Sequence, residues 1–117
     1  MTAERVREMP YIKPSQVRQM APDERAWVGA MIEAEGSVMV NPSHSNHKAK
    51  IMVANTDPEI LSALLRATGV GHVGLKTESR QWQRKPCYTW QVQAQLEARD
   101  IALQCAPYSM KLQRVEV

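Results

Sequence analysis

Apolar positions recur at helical spacing in three parts of the chain, which we predict as helices over 22–36, 56–69 and 96–105. A proline and two acids open the first helix, and these residues suit the exposed N–H groups of a first helical turn. Glycine ends the first two helices, where it readily closes a last turn. Thr56 or Asp57 is the expected N-cap of the second helix, and a proline follows the third.

Between the helices, apolar and polar residues alternate with the period of two that is typical of half-buried strands. We predict strands over 37–41, 48–55, 72–78 and 87–94. In the second strand, Ile51 and Val53 share one face, and Lys48 and Lys50 lie with Met52 on the other. The order αββαββα predicts an α/β fold of the α+β kind with an antiparallel sheet.

The 117 residues suffice for one compact domain, with 44% hydrophobic and 23% charged residues. Residues 1–22, which are polar and interrupted by prolines, are interpreted as an N-terminal arm, and 23–117 as a single domain. The net charge of +3 is a mild excess that is compatible with a nucleic acid partner without indicating one.

The N-terminus has no apolar run of the kind that signal peptides carry, and no apolar stretch is long enough to cross a bilayer. We therefore expect a soluble intracellular protein without a membrane partner, from a bacterial or phage cytoplasm or an organelle. Cys87 and Cys105 lie far apart without a CxxC pattern, so reduced thiols are expected rather than a zinc site. His44 and His47 lie in a Ser/Asn-rich loop without further ligands.

The first helix carries a stripe of small residues, Ala26, Ala30 and Ala34, with Gly29 beside it. Small residues allow a second helix to approach closely, often across a two-fold axis. The simpler alternative is that alanine favours helices.

Glu33 and Glu35 lie in the last turn of the same helix, although acids there face the negative end of the helix dipole. A basic neighbour or a divalent cation has to compensate, and for the acids taken alone solvation or a salt bridge is the commoner explanation. If two copies of the helix pack along a two-fold axis, their carboxylates converge and would repel unless they share metal ions.

The segment from Val28 to Ser37, VGAMIEAEGS, resembles the motif of the LAGLIDADG homing endonucleases. The resemblance continues in order along the chain and covers about residues 23–114. It includes Asn55–Leu61, Gly69–Val73, Trp90–Val92, and Pro107 and Tyr108 followed by Lys111. Four elements in the right order are more specific than one short acidic helix end.

The resemblance implies a single-motif subunit that dimerises with a second copy of itself, uses a saddle-shaped sheet to bind double-stranded DNA, and cuts a long pseudo-palindromic site. It implies that Glu35 binds the catalytic metal, with the carbonyl of Ala34 from the partner subunit as a helper. Mg²⁺ is expected and Mn²⁺ is possible, because carboxylate, water and phosphate oxygens are hard ligands. Water on the metal would attack the phosphate, and the metal would stabilise the departing 3′ oxygen.

The resemblance also implies roles for two residues outside the motif. Asn55 would position water, and Lys111 would steady the phosphate charge. The alternatives are that Asn55 caps the following helix and that Lys111 is a solvated surface lysine. Glu33 would stabilise the helix interface or cap a neighbouring helix. The expected dimer interface consists of Ala26, Gly29, Ala30 and Glu33.

The strand pattern predicts a polar, basic sheet surface independently of the family. In the fourth strand, Thr89, Gln91, Gln93 and Gln95 share one face. Glutamine can pair with adenine in the major groove, and basic side chains can contact phosphates. The expected basic contacts are Lys48, Lys50, Lys76, Arg80, Arg84 and Lys85. An ordinary solvated sheet face is the alternative.

Two other functions remain open from the sequence. The first is a family member without cleavage activity, acting as a DNA-binding protein or as an RNA splicing cofactor (a maturase). The second is a small homodimeric interaction module whose alanine stripe and acids are structural.

Overall fold

The computed structural model describes residues 15–41, 48–76 and 86–115. The elements are α1 (Pro22–Glu35), β1 (Gly36–Asn41), β2 (Lys48–Asn55), α2 (Pro58–Thr68), β3 (His72–Leu75), β4 (Tyr88–Val92) and α3 (Gln95–Cys105). Two 3₁₀ turns follow, Ala106–Tyr108 and Leu112–Arg114. This order confirms the predicted αββαββα arrangement of an α+β fold.

A segment ahead of α1 joins the first two helices. Ala21 cannot cap α1 with its side chain, and the Glu24 carboxylate instead accepts the Ala21 N–H at 3.0 Å. Arg18 pairs with Glu24 at 3.2 Å and also donates to the carbonyls of Arg66 and Ala67 at the end of α2. Of the expected N-terminal arm, residues 15–21 are thus packed on the domain, and 1–14 lie outside the described residues.

The caps of α2 follow the sequence signals closely. Asp57 is the N-cap, since its side chain accepts the Glu59 N–H at 2.9 Å. Gly69 ends the helix at φ 75°, in the left-handed region that glycine adopts without strain, and its N–H donates to Leu65. Of the two expected caps, the structure therefore selects Asp57 rather than Thr56.

The four strands form one antiparallel sheet in the order β1-β2-β4-β3. Ile51, Val53 and Trp90 are fully buried on the inner face, where the helices pack. The Trp90 indole N–H donates to the Val70 carbonyl at 2.9 Å, which satisfies the one polar group of this large core side chain. The opposite face of the sheet, called here the outer face, carries the alternate residues of each strand.

The second strand pair is shorter than the alternation predicts. β3 ends at Leu75 rather than at residue 78, and residues 77–85 lie outside the described residues. β4 ends at Val92 because Ala94 already has the backbone angles of a helix N-cap and Gln95 is the first residue of α3. Alternation alone cannot signal this end, since polar residues also suit a helix start.

The described cysteines are free thiols, as expected. Burial raises the pKa of the Cys105 thiol to about 11, so it stays protonated at neutral pH. Within the ranges the structure covers, no helix is long and apolar enough to span a membrane.

Gly29 lies on the buried side of α1, against the chain's own C-terminal segment. A β-carbon at this position would lie 2.6 Å from the β-carbon of Tyr108 and 3.0 Å from the carbonyl oxygen of Cys105. The expectation that Gly29 contacts a second copy is therefore corrected: its missing side chain admits the segment after α3. Ala30 and Ala34 are exposed on the other side of α1.

We predict that Gly29→Ala destabilises the fold. Forcing an extra carbon into a tight contact costs about 1–3 kcal/mol, against about 1 kcal/mol gained from the helix propensity of alanine. The thermal midpoint should fall by roughly 4–8 °C for each kcal/mol lost. Gly74→Ala is the matched control, because a β-carbon there would meet only His72, at 3.4 Å. If Gly29→Ala melts at the same temperature as the parent chain, as the control should, the close contact of Gly29 with Tyr108 would be contradicted.

Candidate active site and nucleic-acid interface

The carboxyl end of α1 holds the residues for which the sequence predicts chemistry. Glu35 is the last residue of the helix and is exposed. β1 begins at the next residue, and its pairing with β2 places Gly36 opposite Val53. The end of β2 therefore returns beside the helix end, where the Asn55 carboxamide donates to Oε2 of Glu35 at 2.6 Å.

Asn55 connects Glu35 to the start of α2. While its Nδ2 donates to Glu35, its Oδ1 accepts the Asp57 backbone N–H at 2.8 Å. Both ends of the carboxamide are thus engaged, which fixes the orientation of the side chain. Asn55 therefore does contact the start of α2, which was one of its two expected roles. Its side chain also reaches Glu35, the candidate metal ligand.

Lys111 reaches the same place from the C-terminal segment. Its Nζ donates to the Gly36 carbonyl at 2.9 Å, and the side chain is half-buried rather than fully solvated. An ammonium group at the carboxyl end of a helix interacts favourably with the dipole and offsets nearby acids. The structure therefore brings Glu35, Asn55 and Lys111 together within one small region.

Glu33 anchors the turn that carries Lys111. One oxygen of its carboxylate, Oε1, accepts the Lys111 backbone N–H at 3.0 Å and the Ser109 hydroxyl at 3.1 Å. The Lys111 backbone hydrogen bond, followed by the Ser109 bond and the Lys111 charge, holds the pKa of Glu33 below its ordinary value despite opposing desolvation. Two roles were expected for Glu33, stabilising the helix interface and capping a neighbouring helix. Its contacts within this chain are of the capping kind, to the turn at Ser109 and Lys111.

A single chain supplies few ligands for a metal ion. In the described part of the chain, no group of three His, Cys, Asp or Glu side chains is placed to hold one. Glu35 nevertheless offers a hard, solvent-exposed carboxylate, and the carbonyl of Ala34 belongs to a last helical turn whose acceptors have no helical partner. Mg²⁺ commonly takes one or two carboxylates with water and phosphate oxygens, so this donor set fits it.

The outer face of the sheet presents side chains in register across all four strands, and three of the four in one row are polar. Ser37, Met52, Gln91 and His72 are neighbours in one transverse row. Gln93 donates to Gln91 at 3.1 Å, and Gln91 donates to the Thr89 hydroxyl at 3.3 Å. This chain of hydrogen bonds orients two carboxamides on the outer face.

The predicted contact residues do not all lie on that face. Lys50 is half-buried on the outer face and Lys76 is exposed just after β3. Thr89 is only 6% exposed, so it orients Gln91 rather than meeting a ligand directly. The expectation that Gln95 lies on the outer face of the fourth strand is corrected. Gln95 begins α3, and its carboxamide oxygen accepts the Ala49 N–H at 3.0 Å.

Other members of the expected interface cannot be placed. The side chain of Lys48, and the whole of Arg80, Arg84 and Lys85, lie outside the described residues. In turn, the sequence interpretation missed Met52 and His72, which the strand register places on either side of Gln91, and Ser37, which it places opposite Met52. Their alternation with buried residues along each strand could have placed them on the outer face. Only the pairing register showed which strands lie side by side.

Comparison with solved structures finds the same fold in a homing endonuclease. The homing endonuclease I-CvuI, in complex with its target in the presence of Ca, matches with a TM-score of 0.59 and 12% identity, over 79% of this chain and 62% of that chain. The same enzyme with an I-CreI target, in the presence of Mg and described as revealing DNA not cleaved, matches with a TM-score of 0.58 and 14% identity, over 77% of this chain and 61% of that chain.

These comparisons show the fold of this chain, which is that of the homing endonucleases. The chain spans less than two thirds of the length of the solved structures that it matches. No protein-family model matches the sequence. No curated protein sequence matches it either.

We predict that Glu33 makes stability depend on acid pH. Because its folded-state pKa is lowered, its contribution is fully present above the unfolded value of about 4.5 and is lost as pH falls through the lower folded value. The Glu33→Gln variant should therefore be less stable than the parent chain near neutral pH, with the difference shrinking in strong acid. Urea unfolding of both proteins at several pH values measures it, and a gap independent of pH would contradict the prediction.

Proposed function

We propose that this chain is the subunit of a homodimeric, site-specific endonuclease that hydrolyses phosphodiester bonds of double-stranded DNA with a divalent metal. The observation that carries the proposal is the meeting of Glu35, Asn55 and Lys111 at the carboxyl end of α1. The fold, shared with a homing endonuclease solved on its DNA target, supports it.

Each residue of the cluster suits one requirement of phosphodiester hydrolysis. The Glu35 carboxylate would hold Mg²⁺, or Mn²⁺ in its place, together with the carbonyl of Ala34 from the second copy. When bound, the metal supplies Lewis-acid activation of water and neutralises charge on the phosphate and the leaving oxygen. Asn55 fixes the Glu35 carboxylate and would orient water, and Lys111 would place an ammonium charge beside the attacked phosphate.

The outward side of α1 supports pairing with a second copy. Ala30 and Ala34 are exposed, and beside them Trp27 is 38% exposed, a large apolar surface for a solvated helix. This side ends at Glu35. Packing two copies along it would bring both clusters to one axis and add a second Glu35 carboxylate, since the described residues of one chain hold no group of three His, Cys, Asp or Glu side chains placed for a metal.

The outer face of the sheet would read the DNA. Gln91 and Gln93 can each donate and accept at an adenine edge in the major groove, and Lys50 and Lys76 carry charge for phosphate contacts. A two-fold dimer presents this face twice, so the preferred target should be pseudo-palindromic. Intron homing, in which an intron moves into a specific DNA site, is the biological role that fits a long target of this kind.

The test is incubation of the protein with a randomised duplex-DNA library, once in Mg²⁺ and once in Ca²⁺. Cut ends are sequenced from the first reaction and retained molecules from the second. We expect cutting at a pseudo-palindrome in Mg²⁺, and Glu35→Gln should abolish cutting while it leaves retention of the same site. Glu59→Gln, the same change at an exposed acid of α2, is the matched control and should cut normally.

The other outcomes separate the alternatives. Retention of a defined site without cutting by the parent chain would replace the endonuclease with a DNA-binding relative, and RNA splicing would then be the next activity to assay. Retention that weakens steeply with salt identifies phosphate contacts. If the protein neither cuts nor retains DNA, a nucleic-acid function is overturned and a homodimeric interaction module is favoured.

We predict that Ala30→Leu prevents dimerisation, because a large side chain at an exposed small position blocks a close helix crossing. Sedimentation should report a dimer for the parent chain and a folded monomer for the variant. Leu103→Ser, at an apolar residue of α3 that is 63% exposed, is the control and should leave the dimer unchanged. An unchanged mass for Ala30→Leu would place the interface elsewhere.

We predict that Gln91→Ala and Gln93→Ala change the preferred DNA site more than the stability of the fold. Their carboxamides bond to each other and to Thr89 on the outer face, away from the inner core. Losing a good base contact costs about 1–3 kcal/mol of discrimination. Repeating the library selection and the melting curve for each variant checks this, and lower melting points with unchanged sites would contradict it.

A further inference from the structure

The two halves of the outer face of the sheet differ in chemistry. On β3 and β4 the side chains that point outward are polar, with His72 and Gln91 paired side by side. On β1 and β2 the same face carries two methionines, Met39 and Met52. Met39 is 49% exposed and Met52 is half-buried, so both offer apolar surface to a ligand that lies on the sheet.

The two methionines lie close enough to act as one surface. Met52 pairs with Ser37 and Met39 pairs with Lys50, which makes the methionines diagonal neighbours on adjacent strands. Diagonal neighbours are about 7–8 Å apart, within reach of long side chains. We call Met39 and Met52 the methionine patch. Because methionine side chains are flexible and polarisable, the patch can adapt to a small apolar group of a ligand.

The surroundings of the methionine patch favour a polyanionic ligand. Lys50 lies directly opposite Met39, and none of the outward side chains that the structure describes on the four strands is acidic. Met52 also pairs with Gln91, so a DNA duplex in contact with Gln91 extends over the patch. In the major groove, the apolar group that a base edge presents is the C5 methyl group of thymine.

We propose that the methionine patch recognises thymine through its C5 methyl group, beside the adenine that Gln91 contacts. This inference rests on the proposed DNA-binding function and adds a second kind of base contact to it. Paired strands lie about 4.8 Å apart, and successive bases are about 3.4 Å apart along the duplex. The contacts of Met52 and Gln91 therefore fall within about two base pairs of each other in each half-site.

The test on the DNA uses the parent protein and its selected site in Ca²⁺. Each thymine is replaced in turn by uracil, which keeps the base pairing and lacks the methyl group. We expect binding about four-fold weaker for each contacted thymine, the loss for one buried methyl-sized group. Such a thymine should lie within about two base pairs of an adenine whose replacement by 7-deazaadenine, which lacks the N7 acceptor, also weakens binding.

Two variants test whether the methionines are responsible. Met52→Ser and Met39→Ser each remove an apolar side chain from the outer face, and at least one of them should bind the thymine and uracil duplexes equally. Sensitivity to 7-deazaadenine should remain in both, because Gln91 is unchanged. Leu103→Ser, at an exposed apolar residue of α3, is the control and should keep the preference for thymine. The measurement on the parent protein decides the question even if a variant fails to fold.

The outcomes separate this inference from the function on which it rests. If the protein retains no duplex DNA, the proposed function and the methyl contact are both overturned. If it retains its site but binds thymine and uracil equally at every position, the methyl contact alone is overturned. A preference for thymine that survives in both methionine variants also overturns it and leaves the DNA-binding function standing.

Discussion

The direct junction between α1 and β1 at Gly36 is the constraint on which the candidate site depends. The helix runs into the strand without a loop, so the last helical carboxylate and the first strand pairing are fixed together. A β-carbon at Gly36 would lie 2.7 Å from the Ile32 carbonyl oxygen and 3.0 Å from that of Met52. The need for glycine here thus comes from close backbone approach, and this approach brings Asn55 to Glu35.

The acids at the helix end are tolerated because the chain's distant C-terminal segment compensates them. Glu33 accepts the Lys111 backbone N–H while the Lys111 ammonium group binds the Gly36 carbonyl. The backbone N–H of Lys111 therefore stabilises the Glu33 carboxylate, and its ammonium group offsets the negative end of the helix dipole beside Glu35. The same arrangement leaves the Glu35 carboxylate exposed, with only Asn55 holding it among the described side chains.

The fold separates its core from three surfaces with different chemistry. The inner face of the sheet takes the large apolar side chains, which leaves the outer face to the carboxamides, Lys50 and His72. The outward side of α1 carries Trp27, Ala30 and Ala34, with the exposed acids Asp23 and Glu35 at its two ends. A cavity lined in part by Gly71, Val92 and Ala94 lies where the chain leaves β4 and, two residues later, enters α3.

The sequence by itself determined the elements and the place of the acids, because caps, glycines and periodicity act within a few residues. It located the three α-helices and the four strands of the described ranges, although it missed the two 3₁₀ turns and placed the ends of β3 and β4 too far out. Its resemblance to a known family also suggested Glu35, Asn55 and Lys111, which lie close together in the fold. Only the tertiary structure decided that Gly29 faces Tyr108, that Gln95 belongs to α3, that Glu33 holds the Lys111 turn, and that Met52 and His72 flank Gln91. These depend on strand register and on contacts between residues far apart in the chain, which no local pattern encodes.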